Sequence, residues 1–307
     1  MFSRLLFFLS LACGVGGYAE KSVAETLEDA LREADVPAGL FQATELGVKI
    51  TSYAVSKGDP FLLAYYVDDG SGLLHPPLRV IRFDRATKEA RRADYRDITA
   101  LFQGATFQGA TPMDCLGSAL NIREYRESIY IETHDNPSAG CVIVLSSRLA
   151  FKTALSGWLL GFIGNDSAIL RESEIHFMPV HPLHIAVFDV KRNRAREVYP
   201  FKNDPERREF SRSIRRHISE KWCADHNAPC DPENFDADLQ GSVMVNEAAS
   251  AFGFRVQFDA QGFGESAEKQ VEPRTVTYLF RKRGDGWDHQ EYRGLQLERL
   301  LAGPRPE

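Results

Sequence analysis

Apolar and polar residues alternate along most of this chain with the period of two that a half-buried strand requires. The cleanest run is Phe252, Phe254, Val256 and Phe258, interleaved with Gly253, Arg255, Gln257 and Asp259. Val276, Tyr278 and Phe280 repeat the pattern before a Gly284-Asp285-Gly286 turn, and a return strand runs from Trp287 to Tyr292. Earlier, VKITSYAV and FLLAYYV are followed by SIYIETHD, CVIVLSS, LAFKTAL and GWLLGFI at close spacing. Asn136 to Gly140, Ser146-Ser147 and Ser156-Gly157 punctuate them. Parallel strands need crossovers of about a dozen residues, and these gaps are too short. The expectation is a mainly β protein of antiparallel hairpins and meanders.

Two segments carry the helical period instead. Ser22-Val-Ala-Glu25 reads as a capping box, with Val23, Leu27, Ala30, Leu31 and Ala34 on one face as far as Pro37, which predicts a helix over 22–36. Asp204-Pro205-Glu206 opens a second over 204–223, with an apolar stripe of Phe210, Ile214, Ile218 and Trp222.

One hairpin is written twice. PLRVIRFDRATKEARRADY (Pro77 to Tyr95) lies without gaps over PLHIAVFDVKRNRAREVYP (Pro182 to Pro200), with identities at 77/182, 78/183, 83/188, 84/189, 90/195 and 91/196. This implies one hairpin unit used more than once. The segments LSGW (Leu155 to Trp158), IHFMPVHPLHIAVFD (Ile175 to Asp189) and HNAPCDPENFD (His226 to Asp236) resemble uncharacterised exported bacterial proteins of β-propeller-like build, over roughly 145–292. The resemblance implies small antiparallel sheets set around an axis and supplies no activity, substrate or catalytic residue. The expected organisation is a single propeller-like domain over 20–303 and a disordered tail at 304–307.

Composition adds a compartment. Arg4, the apolar run Leu5 to Ala12, and Gly17 and Ala19 before a cut give a secretory signal peptide over 1–19. Ser10-Leu11-Ala12-Cys13 offers a second reading, a lipid anchor at Cys13. The expected location is periplasmic or extracellular, with envelope anchoring as the variant. Of five cysteines, Cys115, Cys141, Cys223 and Cys230 follow the leader, and pairing near neighbours gives Cys115–Cys141 and Cys223–Cys230. A net charge of −6 argues against a nucleic-acid partner, and no later stretch reaches membrane-spanning length.

Candidate chemistry is sparse. Glu174, His176 and Met178 alternate with Ile175 and Phe177, and Leu183, Ile185 and Val187 resume the pattern after a Pro179 turn. A turn centred on Val180 would set His176 opposite His184 and Glu174 opposite Ala186. With His181 at the turn, those four ligands would suit zinc or another divalent first-row metal. Lys191 to Lys221 holds eleven basic residues against five acidic ones, a patch for anionic lipid or polysaccharide. Asp231, Glu233, Asp236 and Asp238 form a carboxylate cluster that would suit calcium. His134-Asp135 lacks a G-x-S-x-G nucleophile elbow, and no P-loop or dinucleotide fingerprint is present. The leading expectation is a binding or scaffold module of the cell envelope with a protein or polysaccharide partner. The alternative is a metal-assisted hydrolase or lyase at the histidine cluster.

Overall fold

A computed structural model describes residues 25–33, 46–68, 77–95, 115, 118–136, 139–164, 167–172, 183–201, 203–218, 223–224, 231–246, 248, 250–293, 297 and 301. They form four antiparallel meanders in chain order. Sheet A takes β1 (Glu25–Thr26), β2 (Lys49–Ser56), β3 (Phe61–Val67), β4 (Leu78–Phe83) and β5 (Ala90–Tyr95). Sheet B takes β6 (Ser118–Tyr125), β7 (Ser128–Asn136), β8 (Ala139–Ser146) and β9 (Phe151–Ser156). Sheet C takes β10 (Trp158–Ile163), β11 (Ser167–Arg171), β12 (Ile185–Asp189) and β13 (Arg194–Tyr199). Sheet D takes β14 (Asp236–Asn246), β15 (Ala251–Asp259), β16 (Arg274–Arg283) and β17 (Gly286–Arg293). The described helices of one turn or more are α1 (Leu27–Glu33), α2 (Pro205–Arg215) and α3 (Glu265–Gln270).

Each sheet lays a face on the next, because successive side chains leave a strand on opposite sides. Leu62, Ala64 and Tyr66 of sheet A meet Ile129, Ile131 and Ile143 of sheet B. Tyr130, Val142 and Val144, on the far side of sheet B, meet Ala168, Leu170 and Phe188 of sheet C. Ile169, Ile185 and Val187 then meet Phe252, Phe254 and Tyr278 of sheet D, with Phe210 and Ile214 of α2 in the same core. Sheets stacked in chain order make a propeller-like array. Its two end faces are also covered: Leu27, Ala30 and Leu31 of α1 lie on the outer side of sheet A, and Leu297 and Leu301 on the outer side of sheet D.

A further regularity marks the first full strand of every sheet. The pairing slips between Ile50 and Ser52, Ala119 and Asn121, Leu159 and Gly161, and Gln240 and Met244. A bulge leaves backbone groups without a ladder partner, so something else must satisfy them. The preceding sheet does so at two of the junctions. The Ser52 hydroxyl accepts from the Ala119 amide (3.0 Å), and buried Glu132 accepts from the Leu159 amide (3.1 Å).

The echoed hairpins are real and occupy the same place, the last two strands of sheet A and of sheet C. Phe83 lies opposite Ala90 as Phe188 lies opposite Ala195. The Asp84 carboxylate accepts from the Ala86 and Thr87 amides, and the Asp189 carboxylate from that of Arg192. Lys88 (φ 60°) and Asn193 (φ 48°) are the left-handed residues of the two turns.

Where they are described, the helices depart from the expected bounds, and residues 22–24, 34–36 and 219–222 lie outside the described residues. Glu25 and Thr26 pair with β2, so α1 begins at Leu27 and its capping box is Thr26 with Asp29. The expected helix over 204–223 is helical over Pro205–Arg215, capped by Asp204, with Arg216 closing it; Ile218 still packs on the core and Trp222 lies outside the described residues. Cys115 and Cys141 are bonded, with Cα atoms 5.0 Å apart, and the Tyr66 hydroxyl donates to the Cys115 carbonyl at 2.8 Å. Cys223 is also in a disulfide, while Cys230 lies outside the described residues. The leader, Cys13 and the tail 304–307 lie outside them as well.

Candidate functional site

The described arm of the predicted histidine hairpin pairs with other residues than its alternation implied. β11 ends at Arg171, which faces Ile185, and Leu170 faces Ala186. Ala186 therefore does not pair with Glu174. The Glu172 amide donates to the His184 carbonyl (3.0 Å), so Glu172 is the carboxylate set opposite His184. The reason is burial on both faces: Ala168 and Leu170 pack on sheet B while Ile169 packs on sheet D, and this fixes the register ahead of residues 173–182. Glu174, His176 and His181 lie outside the described residues. Among the described residues no group of three His, Cys, Asp or Glu is placed to hold a metal ion.

What His184 does line is a cleft of about 380 Å³ between β9 and sheet C. Leu155, Leu170, Ile185, Ala186 and Ala195 make an apolar floor and wall. Ser156, Glu172, His184 and Glu197 bring polar groups to it. The His184 Nδ1 stands 3.2 Å from a Glu197 oxygen and 3.5 Å from a Glu172 oxygen. Both carboxylates are 60 % exposed, so they form a solvated rim. The hollow exists because the floor is alanine where sheet B no longer covers sheet C. The arrangement can take an apolar body while the rim carboxylates and imidazole select a polar end. Sequence reading found His184 and missed Glu172, Glu197, Ala186 and Ala195, whose only signal was the strand pairing itself.

The basic segment is divided between structural and exposed roles. Arg192 and Arg196 reach across to Asp285 in the β16–β17 turn. Arg207 donates to the Tyr199 hydroxyl (3.2 Å) and lies over the Tyr199 and Phe235 rings. Arg208, Arg212, Arg215 and Arg216 are exposed along α2. Beneath them, buried Asp204 caps the helix through the Glu206 and Arg207 amides and accepts from the Tyr278 hydroxyl at 2.6 Å. Burial pushes the Tyr199 phenol up to about 12, and Tyr278 is raised by burial and by its neighbours Tyr199 and Asp204. The acidic cluster does not converge as a calcium loop. The Asp231 carboxylate accepts from the Glu233 amide and the Asn234 side chain in a local turn, while Asp236 and Asp238 belong to β14 and pair with Asp259 and Gln257.

No family model and no curated protein matches the sequence. Among solved structures, the protein is similar to a member of the DUF4221 family from Bacteroides vulgatus. Identity is 8 %, coverage is 79 % of this protein's length and 81 % of that one's, and the TM-score is 0.24. A likeness of that size carries no argument about function.

Proposed function

We propose that the protein is an exported binding module of the cell envelope and that the cleft between sheets B and C takes its ligand. The observation that carries the reading is the cleft itself. About 380 Å³ falls inside the range of small-ligand sites, and its lining joins an apolar floor to convergent polar groups in nearly equal measure. Export is supported by the leader-like N-terminus and by the Cys115–Cys141 bond, since disulfides persist in oxidising compartments.

The test fills the cleft. Mature protein and its Ala186→Ile variant are immobilised, exposed to envelope extract, and their bound fractions compared by mass spectrometry. The reading expects one or more small molecules, peptides or glycan fragments on the wild type that are missing from the variant. Identical fractions from both forms would remove the cleft as the ligand site, and a cytoplasmic signal on cell fractionation would remove the export.

A further inference from the structure

On the other side of Glu197 lies a second, smaller hollow of about 270 Å³, lined by Pro200, Phe201, Asp204, Arg207, Ser211 and Phe235, with Glu197, Arg208 and Glu233 at its border. Its Arg207 guanidinium is half-buried, held by the Tyr199 hydroxyl and by two ring faces at 5.6 and 5.1 Å. It has no carboxylate partner among the described residues. Partly removing a cation from water without a carboxylate at ion-pair distance is costly, and two ring faces recover only part of that cost. Ser211 stands one helical turn further along α2, is 3 % exposed, and makes no hydrogen bond among the described residues. A hydroxyl without a hydrogen-bond partner, on an otherwise buried residue that lines the hollow, is the second sign that a group from outside completes the site.

Asp204 does not supply that group. Its oxygens are engaged by two amides and the Tyr278 hydroxyl. We infer that this hollow binds a single organic carboxylate, which accepts from the Arg207 guanidinium and the Ser211 hydroxyl while its apolar body rests on Pro200, Phe201 and Phe235. A guanidinium fork held in place suits a planar carboxylate. The Glu197 and Glu233 carboxylates at the border disfavour a dianion or a polyanion, so a phosphate or a highly charged polymer is the poorer fit. The volume admits a body about the size of one sugar ring or one aromatic ring.

The probe is benzoate, with benzamide as the neutral shape and inorganic phosphate as the dianion, titrated by calorimetry into the mature full-length protein. Benzoate should bind saturably, and benzamide and phosphate at least about tenfold more weakly, since one charge-assisted hydrogen bond is worth about a factor of ten or more. Ser211→Ala, which disturbs no observed contact, should weaken benzoate about tenfold, and Arg207→Gln more. Arg216→Gln on the exposed face should leave it unchanged, and so should Ala186→Ile, which separates this site from the cleft. Because Arg207 also holds Tyr199, its variant counts only if its melting temperature stays near wild type; Ser211→Ala serves otherwise. Absence of saturable benzoate binding, equal binding of benzamide, or benzoate affinity unmoved by Ser211→Ala would each overturn the inference.

Discussion

The hairpins β4–β5 and β12–β13 share their turn and, from Ile81 and Ala186 inward, their register, after which a bulge at Ile185 sets the second apart; among the described residues it is the second that borders a cleft. Beside that bulge, one difference sits at an equivalent position. In sheet A, Ile81 is opposite Leu63, 2 % exposed, and packed under α1 with Leu27 and Leu31. In sheet C its counterpart Ala186 is opposite Leu170 and half-exposed, with Glu197 across the strand where sheet A has Arg92. One face is filled by a branched side chain beneath a helix; the other is left hollow beneath the edge of sheet B. The size of the side chain at this position therefore separates a filled face from a hollow one.

The comparison breaks most visibly at Ile81. Ile81→Ala should lower the unfolding free energy by about 2–5 kcal/mol, the cost of a cavity in a core that cannot collapse around it. Urea denaturation measures it, with the slope unchanged if only stability has moved. A loss under about 1 kcal/mol would mean that α1 does not pack on this face as described.

The two turns sharpen it next. Lys88 and Asn193 both sit at positive φ, but a lysine meets the left-handed penalty of about 1–2 kcal/mol, whereas asparagine tolerates the region. Both are exposed, so packing does not intrude. Lys88→Gly should raise stability by about 1 kcal/mol after the entropy of the freer unfolded state is counted, and Asn193→Gly should be close to neutral. Equal effects at the two sites would show that the turns are not equivalent.

Much of this was written in the sequence. Alternation from Phe252 to Phe258 and from Val276 to Phe280 announced sheet D, and the echo located its two hairpins, because each signal needs only neighbours along the backbone. The cleft was hidden because its register depends on what covers a strand. Ala168-Ile169-Leu170 is buried on both faces and so does not alternate, while residues 174–178, which do alternate, drew the pairing too far along. Strand β6 escaped notice for a related reason, since the bulge between Ala119 and Asn121 breaks its period. The helix start shifted because Ser22 to Glu25 and Thr26 to Asp29 both spell a capping box, and pairing of Glu25 and Thr26 with β2 selects the second.

Ala186→Ile is the converse of the Ile81 truncation. It gives sheet C the branched residue that sheet A already carries, at a half-exposed position with about 380 Å³ beside it, so overpacking strain is small. Stability should change by less than about 1 kcal/mol, while whatever occupies the cleft is displaced. A strongly destabilised variant would show that Ala186 is already tightly packed and that the hollow is smaller than described.

The smallest effect lies just past the second hairpin. Phe201, which follows β13, stacks on His289 of β17 with ring centroids 3.6 Å apart and planes within 7°. Burial lowers the His289 pKa from its ordinary 6.5, with the carboxylates of Asp204 and Asp288 opposing the shift. The unfolded protein then binds its proton at a higher pH than the folded one, so stability is lost as pH falls through 6.5 and stops changing below the folded value. Glu291, 3.4 Å from the His289 Nε2, is raised by burial, so its protonation on acidification returns some stability at lower pH. His289→Phe keeps the stack and removes the titration. The difference in melting temperature between the variant and the wild type should therefore widen between about pH 7.5 and pH 5.5 by a degree or two, about a few tenths of a kcal/mol for a protein of this size. A constant difference across that interval would show that His289 is solvated in the folded protein, and that the end of the second hairpin does not dock on sheet D through this stack.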